Sequence, residues 1–327
     1  MLSVSIITPS LNQGAYIERT IQSVLSQGIA DIEYVVVDGG STDGTLDILT
    51  QSEPELRWIS EKDRGQADAV NKGLQTTKGD IIGWLNSDDI YYPGTLWLVT
   101  ALFERYPERD VIYGDAYHID IGDSVIAPYP TEPWNRERLK KACYICQPAA
   151  FFRRRVINRV GFLDDRLTYC LDYELWLRLC EMGAKFMYVP EILAGSRLYP
   201  SAKTLGMRIK TIQETNHMLS WRLGYVPDEW LLSYARIFLN RVGIRRIDGG
   251  RLDSPLSEPA SDMKANRNLN LLAVAPILAV SAVLISLFAS LRWNRRISWT
   301  LIKTVCDWIL SHGRALSRKH FSSFKDI

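Results

Sequence analysis

Through the first hundred positions, short runs of consecutive apolar residues alternate with stretches in which apolar residues recur every three or four positions. Residues 4–8 form the first run. After a polar loop at 9–14, Ile17, Ile21, Val24 and Leu25 fall on one helical face. A second run, 33–37, is apolar almost throughout, the pattern of a strand covered on both faces. It leads into Asp38-Gly-Gly-Ser-Thr-Asp-Gly-Thr, where the glycines permit a tight turn and Ser41 or Thr42 is placed to cap the next helix. Strands at 56–60 and 80–85 follow, with a helix at 67–74 between them. This order predicts an α/β protein with a mostly parallel central sheet flanked by helices. In such sheets ligands bind beyond the carboxyl ends of the strands.

Regularity weakens further on. A strand is expected at 111–113, and a hairpin at 117–121 and 124–127 around Gly122-Asp123. Residues 131–141 read as a loop and then a helix. Leu171, Leu175, Leu179 and Met182 share one face of a helix that stops at Gly183. A short strand at 185–189 ends before Pro190, and two helices follow, one carrying Leu205, Ile209 and Ile212, the other at 229–241. The chain thus divides into a catalytic domain at 1–205, a helical extension at 206–246 and a linker at 247–268 rich in Ser, Pro, Asp and Gly. An apolar segment at 269–291 and a basic amphipathic tail at 292–327 complete it.

Charge changes the picture mainly at that tail. The whole chain of 327 residues carries a formal +2, but residues 292–327 hold eight basic and two acidic side chains, so the body before them is mildly acidic. A basic tail beside an apolar segment predicts contact with anionic membrane lipid and no nucleic-acid partner. No charge interrupts 268–291, which is long enough for a transmembrane or re-entrant segment. The five cysteines form no disulfide framework. Cys143 and Cys146 have zinc-like spacing, but Cys170 and Cys180 make no second pair, so buried thiols in a reducing compartment are expected. Residues 1–8 lack the features of a signal peptide. The expected location is membrane-associated, the inner membrane if the source is bacterial, with the catalytic domain cytoplasmic. Arg153-Arg154-Arg155 reads as a solvated helix face.

Candidate chemistry collects at the strand ends: Asn12 after the first, Asp38 after the second, Asp63 and Arg64 after the third, Asp88 and Asp89 after the fourth. Each residue singly suits a turn or a cap. Together they make one polar crevice.

Six stretches in order resemble glycosyltransferase family 2: Ser5-Ile-Ile-Thr-Pro-Ser-Leu-Asn, Val36-Val-Asp-Gly-Gly-Ser-Thr-Asp-Gly-Thr, Ser60-Glu-Lys-Asp-Arg-Gly-Gln, Gly83-Trp-Leu-Asn-Ser-Asp-Asp, Gln147-Pro-Ala-Ala-Phe-Phe-Arg-Arg and Leu171-Asp-Tyr-Glu-Leu-Trp-Leu-Arg. The resemblance covers about the first 200 residues. It implies a GT-A fold, followed here by C-terminal helices and one hydrophobic membrane segment. It also implies an inverting transfer of sugar from a nucleotide-diphosphate sugar, a UDP-sugar first, to a glycan or lipid-linked acceptor. A divalent cation, Mg or Mn, would neutralise the departing diphosphate, with Asp88 as the metal contact and Asp89 beside it. Asp172 resembles the general base, although its position also suits a helix cap. Pro9, Asn12, Asp38, Asp63, Arg64 and Asn86 complete the implied nucleotide-sugar site. Asn86 departs from the family's Asp-x-Asp signature, and Tyr199 stands where relatives often place a histidine. The competing readings are a nucleotidyltransferase of similar fold, for which the 10–15 loop lacks a basic phosphate-binding residue, and a non-catalytic membrane scaffold with a relic pocket.

Overall fold

In the computed structural model, residues 2–29, 32–200 and 202–241 are described. The expected linker, apolar segment and basic tail lie outside them. Among the described residues no helix is long and apolar enough to cross a membrane. The chain divides into two compact units, Met1–Glu214 and Thr215–Ile327.

The first unit begins with β1 (Val4–Ser10), α1 (Ile17–Leu25), β2 (Glu33–Asp38), α2 (Thr45–Gln51), β3 (Arg57–Ser60), α3 (Gln66–Thr76) and β4 (Ile81–Trp84). These four strands lie parallel in the order β3-β2-β1-β4. Every residue of β1 is buried and all but the first of β2, which is why neither shows the alternation of a half-exposed strand. Helix α3 lies so close to β1 that a methyl group on Gly73 would fall 2.3 Å from Ile7 Cγ2. That contact sets where the first residue of α3, Gln66, emerges.

Beyond β4 the chain continues through β5 (Ile90–Tyr91), α4 (Thr95–Arg105), β6 (Val111–Ile119), β7 (Val125–Pro128), α5 (Arg136–Leu139), a single 3-10 turn (Gln147–Ala149), β8 (Ala150–Arg153), α6 (Arg154–Val160), α7 (Leu171–Glu181), β9 (Phe186–Arg197) and α8 (Lys203–Gly206). Helix α9 (Arg208–Leu223) runs across the boundary between the units, and α10 (Asp228–Arg241) belongs to the second.

The expectation of a mostly parallel sheet needs correction. Strand β8 runs antiparallel to both β4 and β6, β9 is parallel to β6, β5 pairs antiparallel with β9 and β7 antiparallel with β6, so the nine-stranded sheet is mixed. Because β8 opposes both its neighbours, β6 and β9 run in the same sense as β1–β4, and only β5, β7 and β8 run against them. A second correction concerns Pro190. Strand β9 continues through it, because the register with β6 slips between Gly114 and Asp115, and that bulge accommodates a residue without an N–H.

Of the three consecutive arginines only Arg155 is exposed, as expected of a solvated face. Arg153 is buried and donates to the carbonyls of Arg109 and Phe103, Arg154 to those of Gly79 and Leu74, and Arg155 to the Asp110 carboxylate. They tie β8 and α6 to neighbouring loops.

Candidate active site

The carboxyl ends of β1, β2 and β3 meet in one hydrogen-bonded knot. Asp38, the last residue of β2, is fully buried, and its two carboxylate oxygens accept four hydrogen bonds. The donors are the Gly40 N–H at 3.0 Å, the Ser41 N–H at 2.8 Å, the Ser41 hydroxyl at 2.5 Å and the Ser60 hydroxyl at 2.7 Å. Asn12 adopts a left-handed conformation, φ 53°. Its N–H reaches the Ser41 hydroxyl at 2.7 Å, and its side-chain oxygen accepts from the Thr42 N–H at 2.9 Å. Ser41 is therefore occupied with the knot, and neither it nor Thr42 caps α2. Gly44 stands at the N-cap, and Asp43 before it accepts from the Thr45 N–H at 3.0 Å while also holding the Gly14 N–H at 2.9 Å. Pro9 lies within buried β1, opposite Val37.

Asp63 leans over this knot from the loop after β3. One of its oxygens accepts from the Gly65 N–H at 2.9 Å, and the other would lie only 2.7 Å from any Cβ placed on Gly39. The missing side chain at Gly39 is what makes room for Asp63. Arg64 is exposed and held by Asp68 at 2.9 Å and Asp165 at 2.8 Å.

The end of β4 organises around Asn86. Its amide oxygen accepts from Trp84 Nε1 at 3.0 Å and Gln66 Nε2 at 2.6 Å. Its amide nitrogen donates to Asp89 at 3.1 Å and Gln147 at 2.9 Å. An aspartate here could not make the last two bonds, so the departure from Asp-x-Asp builds a hub for β4, α3 and the 3-10 turn.

Arg197 holds the two acids that follow. Its N–H donates to Asp89 at 2.9 Å, its Nε to the Asp88 carbonyl at 2.7 Å, and its other guanidinium nitrogens to Asp120 and Asp123. Asp89 is buried, and burial together with the neighbouring Asp88 charge pushes its carboxyl well above the ordinary range. Burial also raises Asp88, against the pull of the Tyr199 hydroxyl, which donates to Asp88 Oδ2 at 2.8 Å. In a protonated state Tyr199 thus serves Asp88 as a donor. Burial and the Asp88 charge push its own titration further up. Among the described residues no group of three His, Cys, Asp or Glu side chains converges as a ready metal cage.

Asp172 stands in the first turn of α7. Burial lifts it from 3.8 to about 6, against smaller downward pulls from the Tyr173 N–H and the Lys203 charge. Tyr129, Cys143 and Cys146, all pushed up by burial, lie within its field and supply part of the low-polarity wall. The zinc-like spacing of Cys143 and Cys146 accordingly belongs to free thiols. Asp172 does not cap α7. Glu214 instead tethers the loop that leads into the helix, taking the N–H groups of Thr168, Tyr169 and Cys170 at 3.0, 2.6 and 3.0 Å.

Two site residues escaped the sequence. Lys203 donates to Gln66 Oε1 at 2.7 Å and to the Thr168 carbonyl at 3.3 Å, amid the charges of Glu214, Asp88, Asp63 and Asp172. It sits in an aperiodic stretch with no motif to mark it. Glu214 looks in sequence like an ordinary solvated helical glutamate.

The sequence model described as Glycosyl transferase family 2 matches residues 5–161. Chondroitin synthase of Escherichia coli is 31% identical over 65% of this chain, a match covering 31% of that protein, so the chain spans about a third of it. The PGL/p-HBAD biosynthesis glycosyltransferase of Mycobacterium bovis is 33% identical over 53% of this chain and 68% of its own length. Among solved structures, the Pyrobaculum calidifontis mannosyltransferase PcManGT, in complex with GDP-Man and Mn2+, superposes with a TM-score of 0.53 at 17% identity, covering 98% of this chain and 88% of that one. Staphylococcus aureus TarS 1-349 in complex with UDP gives 0.52 at 18% identity, covering 76% and 74%. These structural likenesses concern the fold, which is that of GT-A glycosyltransferases; the sequence matches establish that the chain belongs to glycosyl transferase family 2 and is a sugar transferase.

Proposed function

We propose that the crevice moves a sugar from a nucleoside-diphosphate donor to an acceptor hydroxyl in a single inverting displacement, with Asp172 as the general base. The observation that carries this reading is the contrast between carboxylates. Asp172 is the one lifted to about 6 in the half-buried first turn of a helix, where an ionised form is available at neutral pH yet has enough proton affinity to take a hydroxyl proton. As the acceptor oxygen bonds to the anomeric carbon, the bond from that carbon to the diphosphate oxygen breaks. The hydroxyl proton passes to Asp172. A single displacement inverts the centre.

The knot of Asn12, Asp38, Ser41 and Ser60 forms the floor of the donor site. Asp38 acts there through the loop it shapes, because its oxygens are already engaged, and Asp63 is the carboxylate left to meet the base or ribose. Hard carboxylate oxygen at Asp88 fits Mg or Mn, with Asp89 and Asn86 committed to other partners. A divalent cation bound there would neutralise charge on the departing diphosphate. A UDP-sugar remains the first donor to test, since solved relatives of the fold are complexes with UDP, UDP-GlcNAc and GDP-Man.

The proposed acceptor is a lipid-linked or surface-glycan precursor at the cytosolic membrane face, a reading that rests on the apolar segment 269–291 and its basic tail. The test uses the full chain in detergent with a panel of UDP- and GDP-sugars and Mn. Turnover of one of them, lost in folded Asp172→Ala and Asp88→Ala variants, is the expected result. No turnover across the panel, or an unimpaired Asp172→Ala enzyme, would refute the assignment. A chain truncated after Asn268 that pellets with membranes as well as the full chain does would remove the anchor.

A further inference from the structure

Three cations stand at the crevice, and two of them are already committed. Arg64 is paired with Asp68 and Asp165. Arg197 spends its guanidinium on the Asp88 and Asp120 carbonyls and on the Asp123 carboxylate. Lys203 differs from both. An ammonium has three N–H donors, and Lys203 is bonded only to the neutral oxygens of Gln66 and Thr168, with no carboxylate ion pair among the described residues.

Its placement is equally specific. Gln66, which it holds, bonds to the Asn86 hub beside Asp88 and Asp89, whereas Thr168 belongs to the loop that leads into Asp172. Four residues earlier Tyr199 bonds to Asp88, so Tyr199 and Lys203 between them reach both the β4 end and the Asp172 loop. Asp63, Asp88, Asp172 and Glu214 all face this ammonium. An anionic ligand entering a crevice with so many carboxylates needs cationic partners, and the protein side supplies few.

We infer that Lys203 binds the diphosphate of the donor, its free N–H directed to a phosphate oxygen of the leaving group. The inference rests on the nucleoside-diphosphate reading of the crevice. Burial of the ammonium, which pushes its titration down even though the residue as a whole is exposed, agrees with a cation held for an incoming anion. Chemically, Lys203 would steady the negative charge that gathers on the diphosphate as the glycosidic bond breaks, in the manner of a fixed charge aimed at a departing group.

The test compares UDP with UMP, and GDP with GMP, by titration calorimetry on the full chain with Mg present, for wild type, Lys203→Ala and Lys203→Arg. A diphosphate contact predicts that Lys203→Ala weakens the diphosphate by roughly 10- to 100-fold, the value of a charge-assisted hydrogen bond, and the monophosphate by less than about threefold. Lys203→Arg should recover most of the loss. Equal weakening of both nucleotides, or no weakening of either while the wild type binds tightly, overturns the Lys203 assignment and leaves the donor reading intact. Wild-type protein that binds none of the four nucleotides overturns the donor reading, and the Lys203 inference with it. Unchanged thermal melting of the apo variants confirms that folding is not what is being measured.

Discussion

The two sides of the crevice treat a buried carboxylate in opposite ways. At the ends of β1 and β2, Asp38 is fully enclosed and has four donors on its two oxygens. Across the crevice, Asp172 is partly buried beside thiol and aromatic side chains with fewer donors, the Tyr173 N–H among them, and burial lifts it to about 6. The first arrangement engages both oxygens in holding the loops together. The second leaves proton affinity available for chemistry, at the expense of stability. Carboxylates that look alike in a motif thus separate into a structural and a reactive one by their donors alone.

The largest expected effect tests the reactive side. Asp172→Asn should lower kcat by about 10²- to 10⁴-fold, the usual contribution of a positioned base. The same change should raise the melting temperature. A carboxyl whose native pKa is lifted above its unfolded value makes the native state bind more protons, so its contribution favours the fold at low pH and is lost as pH rises from about 3.8 through about 6. Above pH 7 the ionised form therefore costs roughly 2 to 3 kcal/mol, and a neutral amide removes that cost. Differential scanning calorimetry at pH 7.5 should show a gain of several degrees. The wild-type kcat should fall about tenfold per pH unit below 6, since protonated Asp172 cannot accept a proton. A variant both inactive and less stable would mean that Asp172 is a structural residue like Asp38.

Asp38→Asn should do the reverse. An amide offers one acceptor oxygen where two were in use, and its nitrogen opposes donors already in place. A loss of about 2 to 4 kcal/mol is expected, read as a melting temperature lower by roughly 5 to 15 °C for a unit of this size. Donor KM should change little in the folded fraction. A large rise in KM without loss of stability would return Asp38 to direct contact with the nucleotide.

How much of this contrast was legible beforehand depends on distance along the chain. The β1 to β4 succession follows from apolar runs and helical periodicity, both local, and the strand-end location of Asn12, Asp38, Asp63 and Asp88 follows from it. Strand direction beyond β4 does not. Whether Ala150–Arg153 pairs with β4 and β6, and in which sense, is decided by tertiary contacts, and a short run of three apolar residues and an arginine carries no direction. The same limit applies in the site. Asn86 was visible as a departure, but its meaning lies in Gln66 and Gln147, 20 and 61 residues away. Lys203 lies 137 residues from the Gln66 it holds. Its location, like the donors that distinguish Asp38 from Asp172, is set only when the chain closes on itself.

The smallest expected effect concerns how Asp172 is held. Glu214 gathers three successive N–H groups just before α7, so its charge opposes the positive end of that helix and fixes the turn that presents Asp172. Glu214→Gln keeps the shape but loses the charge, and its amide nitrogen stands in for the second oxygen that shares the Thr168 N–H. The loop before α7 should loosen and let Asp172 wander from its working position, lowering kcat by about tenfold, since small misplacements of a catalytic group are costly. Donor KM should move by less than about threefold, and the acidic midpoint near 6 should stay in place, because Glu214 does not feature among the causes that lift Asp172. A fall in kcat with KM and midpoint unmoved marks a positioning residue. If only the melting temperature falls, Glu214 is a loop tether with no part in turnover, and the contrast between the two sides of the crevice rests on Asp172 and its burial alone.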